Sequence, residues 1–324
     1  MLPGVQKVSM KECSSLRIGG EGEMIIADTE EKVKEVYKYA ELDNLRVVVL
    51  GEGTNSFFKD VLGGILFLKM GIKGVDVKEY DDHVILQIGG GETFDTVIDF
   101  AVTQGWWGVE NLSYIPGTAG AAPVQNIGAY GAELKNTLVT VRAYDTHTHD
   151  YVTLSNDECK FGYRSSLFKE EKGRYCITAI TLRLSRIPQP ILNYKPLDSI
   201  DGKENVSLQD IRDLVIRTRQ EKLPDYHTHP NTGSFFKNPI VTKEKGDELR
   251  EKYANIPLHE SDGGYKISAA WLIEHIAEMK GVRVGDVGTW PKQPLVIVNY
   301  GKATYEDLML FTGMITQKIQ EKVG

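Results

Sequence analysis

Residues 116–133 read PGTAGAAPVQNIGAYGAE, and residues 51–55 read GEGTN. Nine of the eighteen positions in the longer stretch are Gly or Ala, with Gln125, Asn126 and Tyr130 set among them. Side chains no larger than a methyl let main chain approach a ligand closely. Successive small residues can also aim several N–H groups at one point, forming an anion-binding nest. Each charge-assisted hydrogen bond of that kind contributes roughly 1.5–3 kcal/mol. A diphosphate is the natural guest, and Asn55, Gln125 and Asn126 could read the neutral edges of a ring system. Tight turns are the plain alternative, stronger for GEGTN than for 116–133, because turns do not need nine small residues. Neither segment is a Walker A loop or a GxGxxG fingerprint, so ordinary NTPase and Rossmann readings have little support.

Other residues with chemical potential point nowhere so definite. His147/His149 and His227/His229 each place two rings on one face at i, i+2 spacing, but no third ligand type clusters beside them, so no metal is expected. Cys13, Cys159 and Cys176 form neither a disulfide framework nor a CxxC pair and read as small hydrophobes in a reducing compartment. The formal net charge of -7 argues against a general nucleic-acid binder, so an anionic ligand must meet locally clustered Lys and Arg. The start, MLPGVQKVSM, lacks an apolar h-region behind a basic start, and no run approaches about 18 apolar residues, so a cytoplasmic protein is expected.

The elements that must position these residues are mixed. A chain of 324 residues, 41% hydrophobic and 26% charged, can hold two or three cores. Asp28–Asn44 reads as an amphipathic helix with an Asp28–Glu31 capping box, followed by a strand at Val47–Leu50 that runs into GEGTN. Strands are predicted at 64–70 and 83–88. Phe94, Val97, Ile98 and Ala101 then form a helical stripe ended by Gly105. Alternation from 138 to 184 predicts strands at VRAYD, YVTL and CITAITLRL. Further helices are predicted at 207–221, 243–253, 267–280 and 304–322, the last opened by a Thr304–Asp307 capping box, with a strand at 294–299. This order favours an α+β class, with boundaries near 75 and 220.

IPGTAGAAPVQNIGAYGAE together with FGYRSSLFK (161–169), KLPD (222–225) and GSFFKNP (233–239) resembles the UDP-N-acetylenolpyruvoylglucosamine reductases of bacterial cell-wall synthesis, the MurB family. The likeness runs from about residue 15 to the end, and the Asn193–Tyr194 loop resembles the longer, type I branch. The resemblance implies FAD bound by a PCMH-type region of the vanillyl-alcohol-oxidase kind. Two α+β subdomains, 1–75 and 76–220, would hold it, and a C-terminal α+β domain, 221–324, would bind a UDP-sugar. NADPH would be the co-substrate, reducing the flavin, which then passes hydride to the vinyl carbon of the enolpyruvyl sugar. FAD oxidases of the same fold group and a non-catalytic sugar-nucleotide sensor are the competing expectations. A monomer is the default, with no nucleic-acid partner and no membrane insertion.

Residue by residue, the resemblance makes Arg164 the carboxylate-polarising cation and Ser234 the proton donor to the carbanionic centre. It places Tyr130, Tyr194, Lys222 and Asn238 against the substrate. It places Gly51, Gly53, Thr54, Asn55, Ser56, Pro116, Gly117, Ala121, Gln125, Asn126, Gly128, Ala129 and Arg219 against FAD. The family's second polarising group, a glutamate in a C-terminal Leu-Glu-Pro-Glu segment, has no match, because the sequence reads QEKVG at 320–324. Glu321 is not expected to replace it, and either a longer natural chain or impaired catalysis would follow.

Overall fold

Val47, Val48 and Val49 are β-branched, and the chain around them forms a strand, Arg46–Leu50. It pairs in parallel with Ile65–Met70, which pairs in parallel with Glu21–Ala27 on its other side. Gln6–Ser9 completes this four-stranded sheet. The computed structural model describes residues 2–203, 205–261 and 263–324. The chain forms two compact units. The first comprises the N-terminal segment through Val8, Glu21–Gly53 and Leu62–Arg219; the second comprises Ser9–Gly20, Thr54–Val61 and Gln220–Gly324.

In the first unit the helix Glu30–Leu42 lays Val33 and Val36 into a core with Ile25, Leu66, Leu68, Tyr144 and Cys176. Its cap differs from the sequence expectation. Thr29, not Asp28, is the N-cap, and its hydroxyl accepts the Lys32 amide at 3.1 Å. A second, antiparallel sheet orders its strands Asp150–Ser155, Leu138–Asp145, Tyr175–Ser185, His83–Gly89 and Val75–Glu79. The helix Phe94–Thr103 packs Phe94, Val97, Ile98 and Ala101 on that sheet's apolar face. Burial pushes the thiols of Cys159 and Cys176 up to about 12.

The second unit is built on the antiparallel strands Asn231–Ser234, Gln293–Asn299, Val287–Trp290 and Arg283–Val284. The helix Tyr305–Val323 packs Leu308, Phe311 and Ile315 into the same core as Leu16, Ile18, Ile273 and Ile297. Its Thr304–Asp307 capping box is present as expected. The helix expected at 267–280 is present over a shorter span, 269–276. Gly264–Ile267 is a strand, and Ser268 caps one helical turn, Ala269–Trp271, that widens into a π segment, Leu272–Ile276. The left-handed backbone of Glu278, φ +56°, follows that segment. The fold is α+β, as the order of elements implied. No helix among the described residues is long and apolar enough to cross a membrane.

Candidate functional site

The loop 51–55 leaves the C-terminal end of Arg46–Leu50 with Gly53 at φ +72°, a backbone conformation that glycine adopts freely. The amides of Glu52, Gly53, Thr54 and Asn55 donate to no acceptor among the described residues. Consecutive open N–H groups at a strand-to-loop turn are the kind of feature from which anion nests are built. The Lys69 ammonium donates to the Gly51 carbonyl at 2.5 Å. Glu52 points away from this role. One of its carboxylate oxygens accepts the Thr93 hydroxyl at 2.6 Å and the other accepts the Gly117 amide at 3.1 Å. Gly51 must stay bare, because a Cβ there would stand 2.5 Å from Thr118 Oγ1. A cavity of about 220 Å³ opens beside it, lined by Val47, Val49, Met70, Ala121, Val124 and Phe168 among others.

The longer Gly/Ala segment is built differently from the open nest that its composition suggested. Most of its amides already have acceptors within the protein. The Ala119 N–H donates to the Glu92 carbonyl at 2.8 Å, Gly120 to Gly90 at 2.8 Å, Ala121 to Thr118 at 3.0 Å and Ile127 to Ala122 at 3.2 Å. Its small residues serve chain-on-chain approach, since a Cβ on Gly120 would lie 2.9 Å from the Gly90 carbonyl oxygen. Asn126, at φ +44°, caps the short 3-10 turn Ala122–Gln125. Both ends of its amide are engaged. Oδ1 accepts the Lys135 amide at 3.1 Å, and Nδ2 donates to Glu133 Oε2 at 3.1 Å. The Asn126 side chain therefore fixes the turn. Gln125 lies beside it, half-buried.

Two short strands missed by sequence reasoning, Gly128–Ala129 and Ala132–Glu133, pair across a two-residue turn. Tyr130 (φ +48°) and Gly131 (φ +85°) form that turn, and positive φ at both positions is the type I′ pattern of tight hairpins. Arg164 reaches this hairpin from the FGYRSS loop. Its Nη2 donates to the Gly128 carbonyl at 3.1 Å, and Lys169 Nζ donates to the Arg164 carbonyl at 3.0 Å. The Arg164 backbone sits at φ +51°, where a non-glycine residue is strained and is held only by its surroundings. A bridge between Gly162 and Ser165, with Ser166 Oγ donating to the Val124 carbonyl at 2.7 Å, supplies that hold.

The Tyr130 ring meets Tyr194 edge to face at 6.3 Å between centroids. Burial raises the Tyr130 pKa, and the neighbouring Arg219 guanidinium opposes that rise. Loss of hydration lowers the pKa of Arg219, opposed by the Tyr130, Asp95 and Tyr114 side chains. Arg219 Nε also donates to the Tyr114 carbonyl at 3.1 Å. Behind it, Arg212 pairs with Asp95 at 2.7 Å and with Asp99 at 3.0 Å. Pro116, Gly117 and Ala121 lie on the same Gly/Ala segment, so the first unit gathers Arg164, Tyr130, Tyr194 and Arg219 around its 116–131 stretch. Asp95 and Asn111 also belong to this region. Nothing in their sequence neighbourhood marked them, because their partners are 19 to 117 positions away.

In the second unit Ser234 ends the strand Asn231–Ser234, directly after Gly233 at φ +70°. Its register partner is Val296, and the next amide, Phe235, donates to the Leu295 carbonyl at 2.8 Å. Phe235 and Phe236 anchor the strand end in the core around Leu16 and Ile18, which leaves the Ser234 side chain exposed on a fixed backbone. Asn238 Oδ1 accepts the Ala269 amide at 2.9 Å, and Lys222 is exposed. Thr54, Asn55 and Ser56 also belong to this unit, where the Ser14 hydroxyl donates to the Ser56 carbonyl at 2.5 Å. Among the described residues no three His, Cys, Asp or Glu side chains converge as metal ligands would.

Residues 23–152 match the FAD binding domain family model, and residues 224–324 match that of the UDP-N-acetylenolpyruvoylglucosamine reductase C-terminal domain. Curated relatives carry the name UDP-N-acetylenolpyruvoylglucosamine reductase over most of the chain. That of Alcanivorax borkumensis is 43% identical over 281 residues, covering 85% of this chain and 80% of the relative. That of Salmonella typhimurium is 38% identical over 301 residues, covering 92% and 87%. That of Escherichia coli K12 is 35% identical, with the same coverage. The crystal structure of the Thermus caldophilus reductase superposes with a TM-score of 0.69 at 23% identity, covering 98% of this chain and 94% of that one, which supports the fold. With relatives this similar across four-fifths or more of both lengths, the chain belongs to the UDP-N-acetylenolpyruvoylglucosamine reductase family.

Proposed function

We propose that the protein reduces UDP-N-acetylglucosamine enolpyruvate to UDP-N-acetylmuramate in peptidoglycan synthesis, with NADPH as electron donor and FAD as the bound carrier. The observation that carries this reading is the likeness to reductases of that name through both the FAD-binding region and the C-terminal domain. The residues present fit the cofactor, because the open amides of 52–55 beside a bare Gly51 suit a pyrophosphate. In this reading Gly51, Gly53, Thr54, Asn55 and Ser56 hold it from one segment and Pro116, Gly117, Ala121, Gln125, Gly128 and Ala129 from the other, with Arg219 beside the flavin. Asn126 contributes through the turn it locks. When bound, FAD supplies the hydride that reduces the vinyl group.

The chain's own residues bind, polarise and protonate. The Arg164 guanidinium pairs with the substrate carboxylate, on which charge develops as the double bond is reduced. Its strained backbone fixes the direction of that charge before substrate arrives. The Ser234 hydroxyl gives its proton to the carbon next to the carboxylate. Lys222 and Asn238 meet the diphosphate and sugar, and Tyr130 and Tyr194 cover the nucleotide. We place the reaction in the cytoplasm, on a monomer.

Anaerobic stopped-flow absorbance at the flavin band tests the function. NADPH should bleach the bound flavin, and the enolpyruvyl sugar nucleotide should restore its colour without oxygen. Recovery only with oxygen would indicate an oxidase, and failure to bleach a ligand-binding protein. The cradle has its own test. Gly51→Ala should push Thr118 aside and raise the Kd for FAD about tenfold, of the order of one lost charge-assisted hydrogen bond. An unchanged Kd in a titration of the FAD-stripped protein would show that this approach is not needed for the cofactor.

A further inference from the structure

Asn111 lies in the short 3-10 turn Glu110–Leu112 and is 1% exposed. Its Nδ2 donates to the Tyr130 carbonyl at 2.8 Å and to the Ile191 carbonyl at 3.0 Å. Only the NH₂ end of the amide can serve two carbonyls, so the side-chain orientation is set by its partners. Oδ1 is then left buried with no partner among the described residues. An unmet buried acceptor costs about 1–3 kcal/mol, and its retention implies that the two donated bonds matter.

Those carbonyls belong to two separate pieces of chain. One is the Tyr130–Gly131 turn, the other the segment leading into Asn193 and Tyr194. They touch closely, since a Cβ on Gly131 would lie 3.2 Å from Ile191 Cγ2 and 3.7 Å from Tyr194 Cβ. We infer that Asn111 is a positioning residue, a buried clamp that fixes the Tyr130 turn and the Tyr194 loop in one arrangement so that both rings meet the nucleotide together. This inference rests on the reading of Tyr130 and Tyr194 as substrate contacts. Asn111 touches no substrate in this account, and it acts only through the two main chains it holds.

Asn111→Asp keeps the shape but at neutral pH turns acceptor oxygens toward both carbonyls. Asn111→Ser, too short to reach both, is the second variant should the first fold poorly. Either should raise the KM for the enolpyruvyl sugar nucleotide about tenfold, the loss of roughly one buried hydrogen bond, while the rate of flavin reduction by NADPH stays within twofold. Placed in a background carrying both Tyr130→Ala and Tyr194→Ala, the same substitution should add less than twofold, because both rings that it aims are gone. Equal KM increases in both backgrounds, or equal damage to both half-reactions, would overturn the clamp and leave a plain packing role. If Tyr194→Ala alone leaves KM unchanged, the reading of the tyrosine loop fails and the clamp fails with it. If Tyr194→Ala raises KM and neither Asn111 variant does, the clamp alone fails.

Discussion

Ser234→Ala should slow reoxidation of the reduced flavin by the enolpyruvyl sugar nucleotide about 10²–10³-fold, the usual size of a lost general acid. Reduction by NADPH should be unchanged, since that half-reaction needs no proton at the substrate carbon. The exposed hydroxyl carries no core packing, so thermal stability should not move either. The strand end is held by Phe235 and Phe236 and by the Phe235 amide on the Leu295 carbonyl, none of which the substitution touches. Single-turnover stopped flow separates the two half-reactions. Wild-type reoxidation by the alanine variant would remove Ser234 from the chemistry.

Asp95→Ala should destabilise the protein by about 3 kcal/mol, at the lower end of what breaking a buried pair costs. The Arg212 side chain is 8% exposed and makes two bonds to Asp95, at 2.7 and 3.2 Å. Burial alone would lower the Arg212 pKa, and pairing with Asp95 and Asp99 outweighs it, raising the value. Without Asp95 the cation keeps, among the described residues, Asp99 as its acidic partner, whose side chain is 61% exposed. The Tyr114 amide, 2.6 Å from Asp95 Oδ1, also loses its acceptor at a residue already strained to φ +61°. The expected consequence is a drop in Tm of several degrees, on the scale of about 2–4 °C per kcal/mol for a domain of this size. Calorimetry on the FAD-loaded protein would measure it, with Asp95→Asn as a milder companion. A shift below one degree would mean that Asp99 and water suffice for Arg212.

Sequence gave the architecture wherever the signal was local. The stripe Phe94, Val97, Ile98, Ala101 is a helix, the alternation from 138 to 184 is three strands, and Thr304 with Asp307 caps as its spacing required. Choices between adjacent candidates were less legible. Asp28 and Thr29 can both cap a helix, and the Lys32 amide is reached by Thr29. The periodicity at 267–280 marked the helical residues 269–276 but neither their π widening nor the strand Gly264–Ile267 just before them, which joins a sheet with 240–241 and 258–261. At the site, the composition of 116–133 announced close approach, and Gly120 against the Gly90 carbonyl is one such approach. Asn126 and the amides of 119–122 find their acceptors mostly inside the protein, through contacts that folding creates. The amides of 52–55, in the shorter motif, have no acceptor among the described residues, which the sequence did not foretell.

The second unit draws Leu16, Ile18 and Phe57 from two early stretches of chain into a core whose other members come after residue 220. A gene fragment encoding only the last third would therefore emerge with Ile273, Ile297 and Phe311 missing their apolar cover. During synthesis those early stretches have no core to enter until the ribosome has nearly finished. Any attempt to dissect the enzyme into separately expressed halves should carry both stretches with the C-terminal piece.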